Sequence, residues 1–533
     1  MESINEDSQD SSEERSDVNK RTLSVNEMLE VVGGYGKFQK TINIFFCLMT
    51  IPSFTHVMIT YFTAHTPLWS CAHNSTRCRS NLTFKGADQS RCSMSRKDWS
   101  YAVATKHYSI VTEWNIDCEQ VWLKEMVMSI FFLGWLIGAP TLGWVSDNYG
   151  RRRVLIHSMN MVLLVGFLTS FAPNVYGFIV CRFLVAFFIT GTFPQMFIIV
   201  TEIASPRYRT FSGIIIYIFC AVSLAIVGVA AYFIRNWKIF YIVTSAPFVI
   251  FIIFYKFIPE SVQYLYDKGE REKLMTSFHR ISAWNGTTIP DDVMISTYVS
   301  NAKGNRYPLA LLRVKNLALI TFIQSMTLFL NVVTYYGLYI AAGDIGGSLY
   351  RDFVIVTVAE IPVSLIAICS SNYFGRKSTT LFLIFLSLLA CIGLIFVPDK
   401  GQLQTLRIVL GMIGKGCNGA GYLVLTCWGM DLYPTKYRSE AMGILQVFTR
   451  LGGMFAPWMD TELEKIHKDL SFVFMSGASL VSCLMLCALP SASDATAVVG
   501  NEEENMNSQT AKEVVRQTNV VFAESIEDVT SNS

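Results

Sequence analysis

Apolar runs set the first-order picture. Twelve stretches, each about the 20 residues that a helix needs to cross a bilayer core, centre near Met49, Phe132, Leu163, Phe188, Val222, Phe248, Phe329, Ile361, Leu386, Gly419, Gly452 and Leu480. They predict an all-α membrane protein with twelve transmembrane helices. The runs divide six and six. Residues 41–257 hold the first bundle and 317–490 the second, with a polar linker at 258–316 between them. A polar segment, 1–40, precedes the first run. Met1–Lys20 and 491–533 are rich in Ser and acids and poor in apolar residues, the pattern of disordered tails. The N-terminal segment lacks the basic and apolar regions of a signal peptide. One further long polar stretch, 63–121, follows the first run.

Composition agrees. Charged residues make up 16% of the 533 positions and apolar ones 52%, against about 25% charged in soluble domains. A net charge of +2 makes no case for nucleic acid. An even number of spans puts both tails on one side. Short loops on that side carry Arg151–Arg153, Arg207 and Arg209, Arg376 and Lys377, Lys436 and Arg438, so the positive-inside rule makes the tails cytoplasmic. Loop 63–121 then faces outward. It contains Cys71, Cys78, Cys92 and Cys118, enough for two disulfides in any of three pairings. It also contains two glycosylation sequons, at Asn74 and Asn81. A third sequon, at Asn285, falls in the cytoplasmic linker and is expected to stay unmodified. The other nine cysteines lie in spans as small core residues.

The two halves echo each other. Gly150-Arg151-Arg152 returns as Gly375-Arg376-Lys377, and Arg182-Phe-Leu-Val as Arg407-Ile-Val-Leu, both 225 positions later. Glu202-x6-Arg209 returns as Asp431-x6-Arg438 at an offset of 229. Parallel six-helix repeats mark transporters whose site lies between the halves near the midplane.

Gly143-Trp-Val-Ser-Asp147-Asn-Tyr-Gly150-Arg-Arg-Arg resembles the major-facilitator motif between spans two and three. Glu202-x6-Arg209, Pro259-Glu260-Ser261 and Asp431-Leu-Tyr-Pro434-Thr-x2-Arg438 match it further. With the Cys-bearing first outer loop, Glu113-Trp-Asn-x2-Cys118 and Leu451-Gly-Gly-x3-Pro457, the chain over about residues 30–490 resembles the organic cation/anion/zwitterion transporters of the major facilitator superfamily. The resemblance implies a cytoplasmic gate of ion pairs, with Arg151, Arg209, Arg376 and Arg438 against Asp147, Glu202, Glu260 and Asp431. A charge cluster with two arrangements makes a bistable gate; the alternative is that these arginines only orient the chain. Three positions depart from the pattern. Asn148 stands where a base is common, Asn372 where an acid precedes Gly375-Arg376, and Leu489-Pro490-Ser-Ala-Ser lacks the acid often found after the last span.

Charges inside spans are expensive and therefore functional candidates. Here they are His56, Arg182, Glu360, Lys415 and Arg450. Glu360 either reads a substrate or packs against Lys415 or Arg450. Arg450 falls where the resembled anion and zwitterion carriers tend to have Arg and cation carriers an acid; the alternative is a structural pair with Glu360. A guanidinium fork suits a carboxylate. Ser364 replaces the Lys that anion carriers place one turn after the acid. Glu360 with Arg450 therefore favours zwitterions or organic cations, carnitine-like or amine compounds, over organic anion exchange. Tyr335 and Phe193 match aromatic cavity positions that attract ammonium groups, and Gln446 lies one turn before Arg450. The expected partners are a small organic ion, a coupling Na+ or H+ and the lipid bilayer, with a monomeric transport unit in the plasma membrane and no cofactor. A non-transporting, receptor-like member of the fold is a lower alternative. Enzyme chemistry finds no motif: there is no Walker loop, metal spacing or nucleophile elbow, and Gly411–Gly416 lies inside an apolar span.

Overall fold

The structure, a computed structural model, describes residues 21–72, 83–84, 89–103, 105–290, 293–295, 310–341, 349–398, 403–433, 435–467 and 469–489. Among them, twelve helical segments form the bundle. The first half has span one (Lys37–Thr63), two (Trp122–Tyr149), three (Arg151–Thr169), four (Val175–Ile189 and Phe193–Glu202), five (Arg209–Phe233) and six (Trp237–Ser245, continuing in short helical pieces to Phe257). The second has span seven (Lys315–Ile340), eight (Leu349–Phe374), nine (Arg376–Phe396), ten (Gln404–Leu432), eleven (Thr435–Ile466) and twelve (Leu470–Ala488). Nine of the described helices are long and apolar enough to cross a membrane by themselves. The other three have local reasons. Span three opens on three arginines, span six is broken near Pro247, and span eleven carries charged residues at both ends and Arg450 in its middle.

Lipid tails are as apolar as leucine, so helices in a bilayer associate through close packing and hydrogen bonds. Gly134 and Gly138, one turn apart on span two, supply the close packing. A Cβ at either would collide with the carbonyl oxygen of Phe183 or Phe187 on span four.

The halves meet on the side of loop 63–121. Ser129 Oγ donates to the Met454 carbonyl at 2.9 Å and accepts from Trp458 Nε1 at 2.6 Å. Tyr61 stacks on Phe353, Phe62 stacks on Tyr350, and the Tyr108 and Tyr350 hydroxyls are 3.0 Å apart. Toward the tail side the halves part. Gly143 on span two and Gly443 on span eleven have no neighbour within 4 Å of a built Cβ, whereas Gly453, three turns further along span eleven, would press a Cβ to 2.6 Å from Phe132. The bundle is closed at the loop end and open at the tail end.

Part of the N-terminal segment is folded. Arg21–Leu23 pairs in parallel with Val293–Ile295. A short helix, Val25–Val31, follows, capped reciprocally by Ser24 and Glu27 and burying Met28 and Leu29. In the linker, helices Val262–Asp267 and Arg271–Asn285 pack beneath the first half. Asn285 Oδ1 accepts from the Phe38 amide, while its Nδ2 donates to the Val32 carbonyl and Gln39 Oε1. This third sequon asparagine is thus consumed by a helix junction. In the outer loop, Trp69–Cys71 lies between Thr83–Phe84 and Trp99–Tyr101 in a small antiparallel sheet. Cys92 bonds to Cys118, and Cys71 is also in a disulfide. Cys78, Asn74, Asn81, Met1–Lys20 and 491–533 lie outside the described residues.

Candidate functional site

A cavity of about 220 Å³ lies between the halves. Phe54 of span one and Tyr217 of span five line one wall. Tyr335 and Tyr336 of span seven, Glu360 of span eight, Tyr422 of span ten and Arg450 of span eleven line the other. Ile214 and Ile368 extend the lining toward the tail-side ends of their helices. The walls are aromatic and the polar groups few, as in small-molecule sites generally.

Glu360 is already paired. Its Oε2 lies 2.6 Å from Lys415 Nζ on span ten, and both oxygens accept from the Tyr335 hydroxyl at 3.2–3.3 Å. Lys415 is fully buried and sits 3.9 Å from the Tyr339 ring centre. Such an approach needs a gap in the facing helix. Gly419 lies one turn after Lys415 and provides it: a Cβ there would lie 2.5 Å from Glu360 Oε1 and 3.0 Å from the Tyr335 ring. The ammonium that is missing one turn after Glu360, where Ser364 stands, thus arrives from another helix.

Arg450 has no such partner. Among the described residues no carboxylate lies within 4 Å of it. Its guanidinium stacks 4.0 Å from the Trp135 ring centre and donates to Gln446 Oε1 at 3.2 Å, and its buried Nε has no partner. Trp135, on span two, thus places the fork against the opposite half. With Lys415 and Glu360 cancelling, Arg450 is the uncompensated charge of the lining.

Phe193 and Gln446 stand one layer behind the lining. Phe193 packs edge-on against Phe54 at 5.0 Å and Tyr217 at 5.5 Å, and Gln446 orients Arg450. Nothing in the local sequence singles out Trp135 or Tyr422; their role exists only where span two meets eleven and ten faces five. His56 is buried beside Ser245, and Arg182 donates to the His56 carbonyl, so both belong to the packing of the first half.

The charged motifs assemble at the tail-side ends. Arg151 lies 3.6 Å from Asp147 and 3.9 Å from Glu202, with its guanidinium over Tyr264. Glu202 accepts from Ser261 Oγ. Glu260 accepts from the backbone amides of Arg152 and Ser261. Gly150, at φ +105°, leaves room for that carboxylate. Arg209 donates to Asn26 and the Ala204 carbonyl. In the second half Arg376 pairs with Asp431 and also donates to the Cys427 carbonyl. Arg438 donates to the Tyr433 carbonyl. The acid absent after span twelve has a substitute. Lys377 Nζ donates to the carbonyls of Cys487 and Leu489, the unsatisfied acceptors of a helix C-terminus.

Comparison with known proteins matches this architecture. Residues 98–457 fit the family model Major Facilitator Superfamily. The chain is 30% identical to Organic anion transporter 3 of Rattus norvegicus over 82% of its length and 86% of the relative's. It is 26% identical to Solute carrier family 22 member 6-A of Xenopus laevis, covering 88% and 91% of the two chains, and 25% identical to the Organic cation transporter-like protein of Drosophila melanogaster, covering 88% and 90%. Among solved structures, the partially occluded inward open xylose transporter XylE from E. coli shares the fold, with a TM-score of 0.61 at 13% identity, covering 85% of this chain and 98% of that one. The chain belongs to the major facilitator superfamily and, within it, to the family of these organic ion transporters.

Proposed function

We propose that this protein carries small organic ions across the plasma membrane by alternating access, binding them in the cavity between its halves through a carboxylate or equivalent anionic group held by Arg450. The observation that supports this is the unequal pairing of the lining charges. Glu360 is neutralised by Lys415 at 2.6 Å, whereas Arg450 faces the cavity without an acid within 4 Å among the described residues. A planar guanidinium donates two parallel hydrogen bonds to a carboxylate. The aromatic walls accept a ring or an ammonium. From sequence alone, zwitterions and cations rank first and anion exchange second. Because Lys415 neutralises Glu360, we rank organic anions first and zwitterions with an exposed carboxylate second. The names of the relatives, which include both anion and cation transporters, support organic ions as the class.

The gate completes the reading. With the tails cytoplasmic, this arrangement of the halves is open inward. Closing it requires the tail-side ends of spans two and eleven, with their motif charges, to approach while the Ser129–Trp458 seal parts. The coupling ion, if one is used, is Na+ or H+, and one chain is the transport unit.

The test is uptake of radiolabelled para-aminohippurate, carnitine and tetraethylammonium in cells, beside Arg450→Asp at matched surface expression. Uptake of a carboxylate compound that Arg450→Asp abolishes is expected. Uptake of tetraethylammonium alone, surviving Arg450→Asp, would overturn the assignment.

A further inference from the structure

A second cavity, of about 410 Å³, opens on the tail side beneath the first half. It lies between the start of span three, the end of span six and the linker helix Arg271–Asn285. Arg152, Arg153, Lys273 and Arg280 line it, with Glu260 and Glu270. The acids are already engaged. Glu270 pairs with Lys273 at 2.8 Å, and Glu260 accepts from two backbone amides. Among the described residues, none of Arg152, Arg153 and Arg280 has a carboxylate within 4 Å. Three guanidiniums therefore share one hollow with a single unpaired carboxylate. Arg280 titrates below its ordinary value, first through burial and then through the nearby charge of Arg152. Like charges gathered without counter-charge are unfavourable unless an anion joins them.

The surroundings say which anion. Arg152 donates to the Tyr255 carbonyl, and Arg280 to those of Lys256 and Phe257. Both arginines thus rest on the last turn of span six. The preceding turn exposes Ile252, Ile253 and Phe254, a face that only acyl chains cover in a membrane-spanning bundle. The basic hollow lies within one helical turn of that apolar face, where a bilayer covering the face would place its headgroups. Basic pockets at this level hold anionic headgroups.

We propose that Arg152, Arg153 and Arg280 form a binding site for the phosphate headgroup of an anionic phospholipid of the tail-side leaflet, with its acyl chains along span six. The site is separate from the cavity between the halves and does not depend on which organic ion is carried. A bound lipid would bridge span three, span six and the linker helix, fixing the platform on which Glu260 and Arg151 sit.

The test uses the purified full-length chain in neutral detergent and a fluorescent short-chain phosphatidylinositol phosphate as probe. Short-chain phosphatidylcholine, a free inositol phosphate and inorganic phosphate are the competitors. Saturable binding is expected, displaced neither by phosphatidylcholine nor by the chain-free phosphates at equal concentration. Arg153→Gln and Arg280→Gln should each weaken it about fivefold, since a basic residue near a lipid surface contributes ~1 kcal/mol, while Arg235→Gln at the opposite end should not. Equal displacement by free inositol phosphate or inorganic phosphate would mean a soluble anion and overturn the lipid assignment. Unchanged affinity in both variants would overturn the site. The wild-type chain offers a check independent of variant folding. With lipid bound, modification by an arginine-specific dicarbonyl, read by mass spectrometry, should fall at Arg153 and Arg280 but not at the exposed Arg207. Equal modification with and without lipid would also refute the site.

Discussion

Lys415 Nζ lies 2.6 Å from Glu360 Oε2, across the interface of spans ten and eight, with the ammonium fully buried. Removing one partner from such a pair leaves a lone charge in low dielectric, at about 3–5 kcal/mol. Lys415→Met and Glu360→Gln should each lower the thermal midpoint of the purified protein markedly. The double variant should recover most of that loss, because it leaves no orphan charge. Equal destabilisation by the double and single variants would show that the pair is not coupled.

Gly419 should be intolerant of substitution for the same reason. A methyl group there would lie 2.5 Å from Glu360 Oε1, pushing the carboxylate off Lys415 or span ten off span eight. Overpacking of this kind costs about 1–3 kcal/mol. Gly419→Ala should reach the surface in reduced amount, and its uptake per molecule should fall. Gly477→Ala, in open space on span twelve, is the matched control and should leave both unchanged.

Asp431 pairs with Arg376 outside the cavity lining. Asp431→Asn should therefore act on the conformational step and not on binding. The expected result is a maximal rate lower by about tenfold or more, given ~1.5–3 kcal/mol for a charged hydrogen bond, with KM little changed. A rise in KM at constant rate would place Asp431 in substrate binding.

Glu113 ties the outer loop to span six. It accepts from Trp237 Nε1 and Lys238 Nζ, both at 2.6 Å, and lies 2.9 Å from His107 Nδ1. Burial by itself would raise its titration point, but the hydrogen bonds from Lys238, His107 and Trp237 outweigh it and hold the carboxyl below its ordinary 4.5. A depressed folded-state value stabilises the protein above the unfolded one. That contribution is lost as pH falls below about 4.5 and through the folded value. Thermal midpoints measured from pH 6 downward should drop more steeply for wild type than for Glu113→Gln.

Cys92 and Cys118 close a loop of 26 residues. Cross-links of this size stabilise by about 2–4 kcal/mol. Reduction, or Cys92→Ser, should lower the thermal midpoint and the surface level together. The free cysteines of the spans should not matter in this way.

The spans, the six-and-six division and the candidate charges are legible in the linear chain. Bilayer thickness fixes the length of an apolar run, and an unpaired charge inside one is too costly to be incidental. The linear chain also brought Arg151, Glu202, Arg376 and Asp431 into view, because the repeat places them at matching points of two homologous halves. What it left open was partnership. Glu360 had two bases within reach, Lys415 and Arg450, and only the facing of span eight against ten, through the gap at Gly419, selects Lys415. Trp135 is one of ten tryptophans in the chain, and nothing local separates it from the rest until span two crosses span eleven and lays it under Arg450. Lys377 reads as a base without its acid until the end of span twelve presents its carbonyls. Local sequence sets what each helix is made of. Which side chains meet depends on the rotation and crossing of helices hundreds of residues apart, and close packing between them settles that.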